Sequence, residues 1–302
     1  MGISHYLKEI GRGAQGARDL DRAQAADLFA QVLDGHVSDL ETGAFCLAMR
    51  IKSETPEEMA GFLDATRARL RWQPTAGRTA VVLPSYNGAR KLPVLTPLLA
   101  LLLARTGAPV LVHGSATETS RVTSAEVLQR LGIERDSGCT PLVAGQVRWV
   151  ATEDLCPGLD RLLQVRRVIG LRNSAHSLVK LLDPCDSPSL VVGCYTHPEY
   201  AVSMAATLDL MDTRALLLRG TEGEPVADPR RMPQMDLFSH GERRCVQESQ
   251  TGPLVTLPEL PAIDAASTAD YTRAVLEGHL PVPAPIARQV EVIAQALADA
   301  GR

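Results

Sequence analysis

Residues 79–114, TAVVLPSYNGARKLPVLTPLLALLLARTGAPVLVHG, constrain the fold more than any other stretch of this chain. Residues 79–83 are a short β-rich run, Thr96-Pro97 opens a helix that ends near Gly107, and residues 110–112 form the next strand. Parallel strands joined by a helix form a right-handed crossover. The turn after the first strand is where such a unit usually binds an anion, through backbone N–H groups that several glycines allow to close around a phosphate. This turn holds one glycine, Gly88, followed by Arg90 and Lys91. The scaffold suits a phosphate enzyme, yet the turn lacks the usual equipment.

The flanks extend the pattern. Asp21 is placed to cap a helix whose Leu28, Phe29, Val32 and Leu33 share a face and which Gly35 ends. Ser38-x-x-Glu41 and Thr55-Pro56-x-Glu58 are capping boxes opening two more helices. Thr123-x-x-Glu126 caps another, and residues 190–195, 198–211 and 214–218 read as strand, helix, strand. The expected class is α/β, with a mostly parallel sheet and an N-terminal helical bundle. Residues 1–72 form the helical part, joined by helices from about 160–182, and residues 76–302 form the larger α/β part. Residues 221–260, rich in Pro, Gly and charge, read as long loops, and residues 282–300 as one amphipathic helix.

Composition narrows the function classes. At 302 residues, 45% hydrophobic and 22% charged, the chain has the make-up of a soluble globular protein with a large core. The longest apolar run, residues 92–104, contains prolines and is too short to span a bilayer. The N-terminal MGISHYLKEIGR lacks a signal-peptide core, and Tyr6 replaces the Ser or Thr that myristoylation needs. The expected location is the cytoplasm, with no membrane partner. The six cysteines (46, 139, 156, 185, 194 and 245) show no CxxC spacing, and the seven histidines no HxxxH pair, so free buried thiols are expected and no metal site is legible. A net charge of −4 argues weakly against a generic nucleic-acid binder. Against it stands RLLQVRRVIGLRNSAHSLVK (161–180), with Arg161, Arg166, Arg167, Arg172, Lys180 and no acid; a solvated helix face accounts for it equally well.

GRGAQG at positions 11–16 matches GxGxxG but follows no strand, so it reads as a helix-to-helix joint, with Lys8, Arg12, Arg18 and Arg22 around it. Glu222 and Glu224 in RGTEGEPVAD read as carboxylates of a solvated loop. His113 and Gly114 fall at the carboxyl end of a strand, the usual ligand edge of an open sheet, though a lone His there is more often a structural hydrogen-bonder.

The segment DLETGAFCLAMRIKSETPEEMAGFLDA resembles the N-terminal helical domain of anthranilate phosphoribosyltransferases and of the related pyrimidine-nucleoside phosphorylases, in the family 3 glycosyltransferases. The strings PSYNGARK, LTPLLALLL, VHG, RNSAHSLVKL, HPEY and RGTEGEPVADPRR are similar to a subgroup, the YbiB-type homologues that bind DNA. Where the enzymes carry a GTGGDG pyrophosphate loop, this chain has Ser85, Tyr86, Asn87, Gly88, Ala89 and Arg90. Their Asn-x-Ser-Thr helix start becomes Val94, Leu95, Thr96 and Pro97, and their Lys-His-Gly-Asn-Arg turn becomes Val112, His113, Gly114, Ser115 and Ala116. Their magnesium-binding Asp-Glu pair falls within residues 223–226, where only Glu224 is acidic, while Arg172 keeps the position of an arginine that contacts the aromatic acid.

The resemblance thus implies no catalytic residue, no metal and no cofactor. It implies instead a homodimer, formed through the helical part, that holds DNA, with RNA as the alternative, in a basic groove with little sequence preference. The groove residues would be Lys8, Arg12, Arg18, Arg166, Arg167, Arg172 and Lys180. A residual anion pocket would use Ser85, Asn87, Gly88, Arg90, Lys91, His113 and Gly114. Two alternatives stay open: a transferase using phosphoribosyl pyrophosphate and magnesium, and a non-catalytic scaffold for a small anion or a protein.

Overall fold

The computed structural model describes residues 2–13, 15–117, 120–136, 140–253 and 257–300. It begins with α1 (Ser4–Ile10), α2 (Arg22–Asp34), α3 (Asp39–Lys52) and α4 (Pro56–Arg67). The last three each start with a complete capping box, on Asp21, Ser38 and Thr55, so the orphan N–H groups of each first turn are satisfied locally. Phe29 and Phe62 stack at the centre of this bundle, with ring centroids 4.5 Å apart. The GRGAQG segment joins α1 to α2 and follows no strand; Ala14 lies outside the described residues.

The chain then runs through β1 (Ala80–Pro84), α5 (Thr96–Arg105), β2 (Val110–Gly114), α6 (Ser124–Arg130), β3 (Val147–Ala151), α7 (Thr152–Leu155) and α8 (Pro157–Ile169). It continues through α9 (Ala175–Leu178), β4 (Ser189–Tyr195), α10 (Pro198–Leu210), β5 (Ala215–Arg219), β6 (Met235–Ser239) and β7 (Glu242–Gln247). Two helices finish it, α11 (Ala265–Leu276) and α12 (Ala284–Ala300). The seven strands lie in the order β3-β2-β1-β4-β5-β6-β7. The first five are parallel, and β6 and β7 add an antiparallel edge. The class is therefore α/β with a helical bundle, as the spacing predicted.

Strand alternation builds two cores. Ala80 and Val82 of β1 face a layer that contains α2–α4, α8, α9 and α10. Val81 and Leu83 face α5, α11 and α12. The strand order reverses between β1 and β4, which puts a ligand crevice at the carboxyl ends of those two strands.

One expectation needs correction. Residues 235–247 are not loop but the β6–β7 hairpin, whose outer strand ERRCVQ is exposed and charged, as an edge strand should be to resist pairing with another chain. The helix expected at residues 282–300 is present as α12, and before it lies α11, which buries Thr268, Ala269, Tyr271, Thr272 and Val275, a face too polar to read as an apolar stripe in the sequence. Cys46, Cys156, Cys185 and Cys194 are buried free thiols, Cys245 is exposed, and Cys139 lies outside the described residues. No described helix is long and apolar enough to cross a membrane.

Candidate functional site

The turn after β1 is closed by two carboxylates from the far end of β5. Glu224, 1% exposed, accepts the backbone N–H groups of Asn87 (2.7 Å) and Gly88 (2.8 Å) on one oxygen. Its other oxygen accepts the hydroxyls of Ser85 and, at 3.0 Å, Thr96. Glu222 accepts three successive amides, those of Arg90 (2.7 Å), Lys91 (2.9 Å) and Leu92 (3.3 Å). Asn87 Nδ2 also donates to the Glu222 carbonyl at 2.7 Å. The chain packs so closely that a Cβ on Gly223 would lie 1.9 Å from Asn87 Nδ2. Glu222 and Glu224 are thus not solvated loop acids. A buried turn leaves amides that demand acceptors, and this chain supplies them from within.

That arrangement decides the fit of a magnesium–pyrophosphate group. The amides that would hold phosphate oxygens are engaged by side chains, and the carboxylates that would share a cation are turned onto those amides. Among the described residues no cluster of His, Cys, Asp and Glu is placed to hold a metal ion. The residues present do not fit the group.

The seven residues expected to form an anion pocket separate into three sets. Ser85, Asn87 and Gly88 surround Glu224; Arg90 and Lys91 are exposed and hold Glu222 through their amides. His113 and Gly114 border the turn from β2, with the Ser85 N–H donating to the His113 carbonyl at 2.8 Å. His113 is fully buried, with Nδ1 2.8 Å from the Tyr86 hydroxyl and Nε2 3.3 Å from the Leu182 carbonyl, and burial lowers its pKa to about 3. Gly114 lets β2 pass against the turn: a Cβ there would lie 2.0 Å from the Ser85 carbonyl. Both are structural.

The predicted groove residues also divide. Burial lowers the pKa of His176 on α9 to about 3, and the charges of Arg172, Arg166 and Lys180 push it the same way. Arg167 is exposed and donates to the Ala116 carbonyl at 2.7 Å. Arg161, outside the expected set, donates to the Leu33 carbonyl (2.8 Å) at the end of α2. Lys180 requires correction: it is 8% exposed and lies beside the Cys194 thiol together with Glu224, so its charge points inward rather than along a groove surface. Arg12 and Arg18 both pair with Glu9, at 2.9 and 3.5 Å, while Lys8 is exposed on α1.

Sequence reasoning missed the anchoring role of Glu222 and Glu224, and Arg121, whose Nη1 donates to the Asn87 carbonyl at 3.1 Å. The available signal was the mismatch itself, a turn poor in glycine and a Glu-x-Glu at the end of a neighbouring strand.

Residues 4–70 match the helical bundle domain of the glycosyl transferase family. The chain is 39% identical to the uncharacterized protein YbiB of Escherichia coli (strain K12), over 94% of this chain and 90% of that protein. It is 28% identical to an anthranilate phosphoribosyltransferase of Methanopyrus kandleri, over 92% of this chain and 84% of that enzyme. The crystal structure of anthranilate phosphoribosyltransferase from Thermus thermophilus superposes with a TM-score of 0.73 at 22% identity, covering 96% of this chain and 87% of that one. A shared fold, a shared helical bundle and this degree of identity over nearly the whole length lead to one conclusion: the chain belongs to the family of Escherichia coli YbiB, on the anthranilate phosphoribosyltransferase fold.

Proposed function

We propose that this protein is a nucleic-acid-binding protein on a phosphoribosyltransferase fold, a cytoplasmic homodimer that grips DNA through its phosphates with little regard to sequence. The observation that carries this reading is the acid-free run of residues 161–180, where Arg167 is exposed on the same helix as Arg166 and the charges of Arg172 and Arg166 help keep His176 neutral. A ring that stays neutral adds no cation of its own, and collected guanidinium groups suit a polyanion. The engaged turn after β1 supports the same reading, because its amides are not available for phosphoribosyl transfer. The homodimer draws support from α3, whose Leu40, Leu47 and Ile51 are exposed along one stripe.

The test is a fluorescence-anisotropy titration of a labelled oligonucleotide across a salt series. Affinity is expected to fall linearly in log–log form with salt, and single- and double-stranded DNA and RNA probes of different sequence rank the ligands. Absence of binding at low salt sinks the proposal.

A further inference from the structure

We propose that the cavity between the β5–β6 connection, the segment before α11 and the linker into α12 binds an organic amine with an apolar or aromatic body, its ammonium group paired with Glu259. The cavity has a volume of about 570 Å³, within the range of small-molecule sites. Met232, Tyr271 and Val282 line it and belong to the core on the face of the sheet covered by α5, α11 and α12. It therefore stands on the opposite side of the sheet from α8 and α9. The inference goes beyond nucleic-acid binding and does not depend on it.

Charge complementarity selects the ligand. Met232, Leu257, Leu280 and Val282 give the walls an apolar character, and the charged residues among them are Arg230 and Glu259. Arg230 is already answered. Its Nε and Nη2 donate to the two oxygens of Asp228 at 2.9 and 2.8 Å, and Glu222 acts on the same guanidinium. A carboxylate ligand would meet two acids behind that one cation. Glu259 is the reverse case: it is exposed and has no hydrogen bond or ion pair among the described residues. Its charge is the one the lining leaves uncompensated, and an ammonium offsets it.

Tyr271 supplies a second, independent observation. It is 9% exposed on α11, and its hydroxyl has no hydrogen-bond partner among the described residues, although a buried tyrosine hydroxyl ordinarily finds one. Gln250, the other polar residue of the walls, is engaged: its N–H donates to the Met232 carbonyl at 2.9 Å and its side-chain oxygen accepts the Met232 amide at 3.4 Å. The open polar positions are thus one acid and one hydroxyl in an apolar box. An ammonium on a hydrocarbon body complements both, since it donates to either oxygen and is drawn to an aromatic face.

2-Phenylethylamine is the probe, titrated by calorimetry into the full chain, with 2-phenylethanol and phenylacetate as neutral and anionic matches of the same size. The amine is expected to bind about fivefold more tightly than the alcohol, and phenylacetate more weakly than either. Glu259→Gln should weaken the amine about fivefold and leave the alcohol unchanged, because the position is exposed and the fold does not rest on it. Tyr271→Phe keeps the ring and should also weaken the amine. Val282→Trp fills the cavity and should abolish binding of all three, with circular dichroism and the melting temperature showing that each variant folds. Absence of amine binding overturns the proposal, as does an alcohol or acid that binds as well as the amine. So does a folded Glu259→Gln chain with unchanged amine affinity, or binding that survives in folded Val282→Trp.

Discussion

Two regions at the ligand edge of the sheet solve opposite electrostatic problems. The turn after β1 presents amides and hydroxyls, and the chain answers them with Glu222 and Glu224. The α8–α9 segment is rich in cations, and residues 161–180 contain no acid. They meet at Gly223, where a Cβ would come within 3.1 Å of Lys180 Nζ. The first region is closed on itself, while in the second Arg161 and Arg167 stand exposed and Lys180 turns inward toward the turn.

The largest effect should come from breaking the closed region. Glu224→Ala strands two buried amides and two hydroxyls, and is expected to destabilise the chain by about 3–5 kcal/mol in denaturant unfolding. A loss under about 1 kcal/mol would mean that the turn readily finds other acceptors.

Next comes the open region. Reversing Arg166 and Arg167 to Glu should weaken oligonucleotide binding by about a hundredfold and lower the salt slope by about two, with stability little changed. An unaltered slope would remove α8 from the interface.

A pH-dependent effect, small near neutrality and growing with acid, concerns His176, with His113 acting in the same direction. Both have folded pKa values near 3, below the ordinary histidine value. As pH falls below about 6.5, the unfolded chain takes up protons that the folded one refuses, and each histidine costs about 1.4 kcal/mol per pH unit until its folded pKa is reached. Stability should therefore fall with acid over this range, and His176→Gln should make that fall shallower. Proton NMR should show the His176 ring neutral down to about pH 4, and Arg172→Gln should raise its pKa.

The smallest effect belongs to the α1–α2 joint. Arg18 meets Glu9 at 3.5 Å on an exposed surface, so Arg18→Ala should change stability by less than about 0.5 kcal/mol and affinity by severalfold at most. A hundredfold loss there would shift the comparison toward the N-terminal helices.

Local signals were legible in the sequence wherever the physics is local. Asp21, Ser38, Thr55 and Thr123 cap their helices as their spacing predicted, because a capping box spans only four residues. Strand β7 was hidden because an exposed edge strand carries Glu242, Arg243 and Arg244 where a buried one carries valine. At the site, the residue types were readable and their partners were not. Glu224 lies more than a hundred residues from the amides it accepts, and the burial of Lys180 depends on how β4 and β5 pack beneath it. The Arg12–Glu9 pair, by contrast, is an i,i+3 contact that charge spacing alone could have shown.

The layer that covers one face of the sheet has a wider consequence. Side chains of α2, α3 and α4 share a continuous core with α8, α10 and the strands, so residues 4–70 are not a detachable module. A chimera that exchanged them for a relative's bundle would have to rematch Leu159, Leu162, Met204 and Leu208 as well. Substitutions under that layer are coupled, while those in the turns above the strand ends are nearly independent of it. Changes confined to the turns above the strand ends therefore leave this shared core intact, which marks the rim as the part of the scaffold most open to substitution.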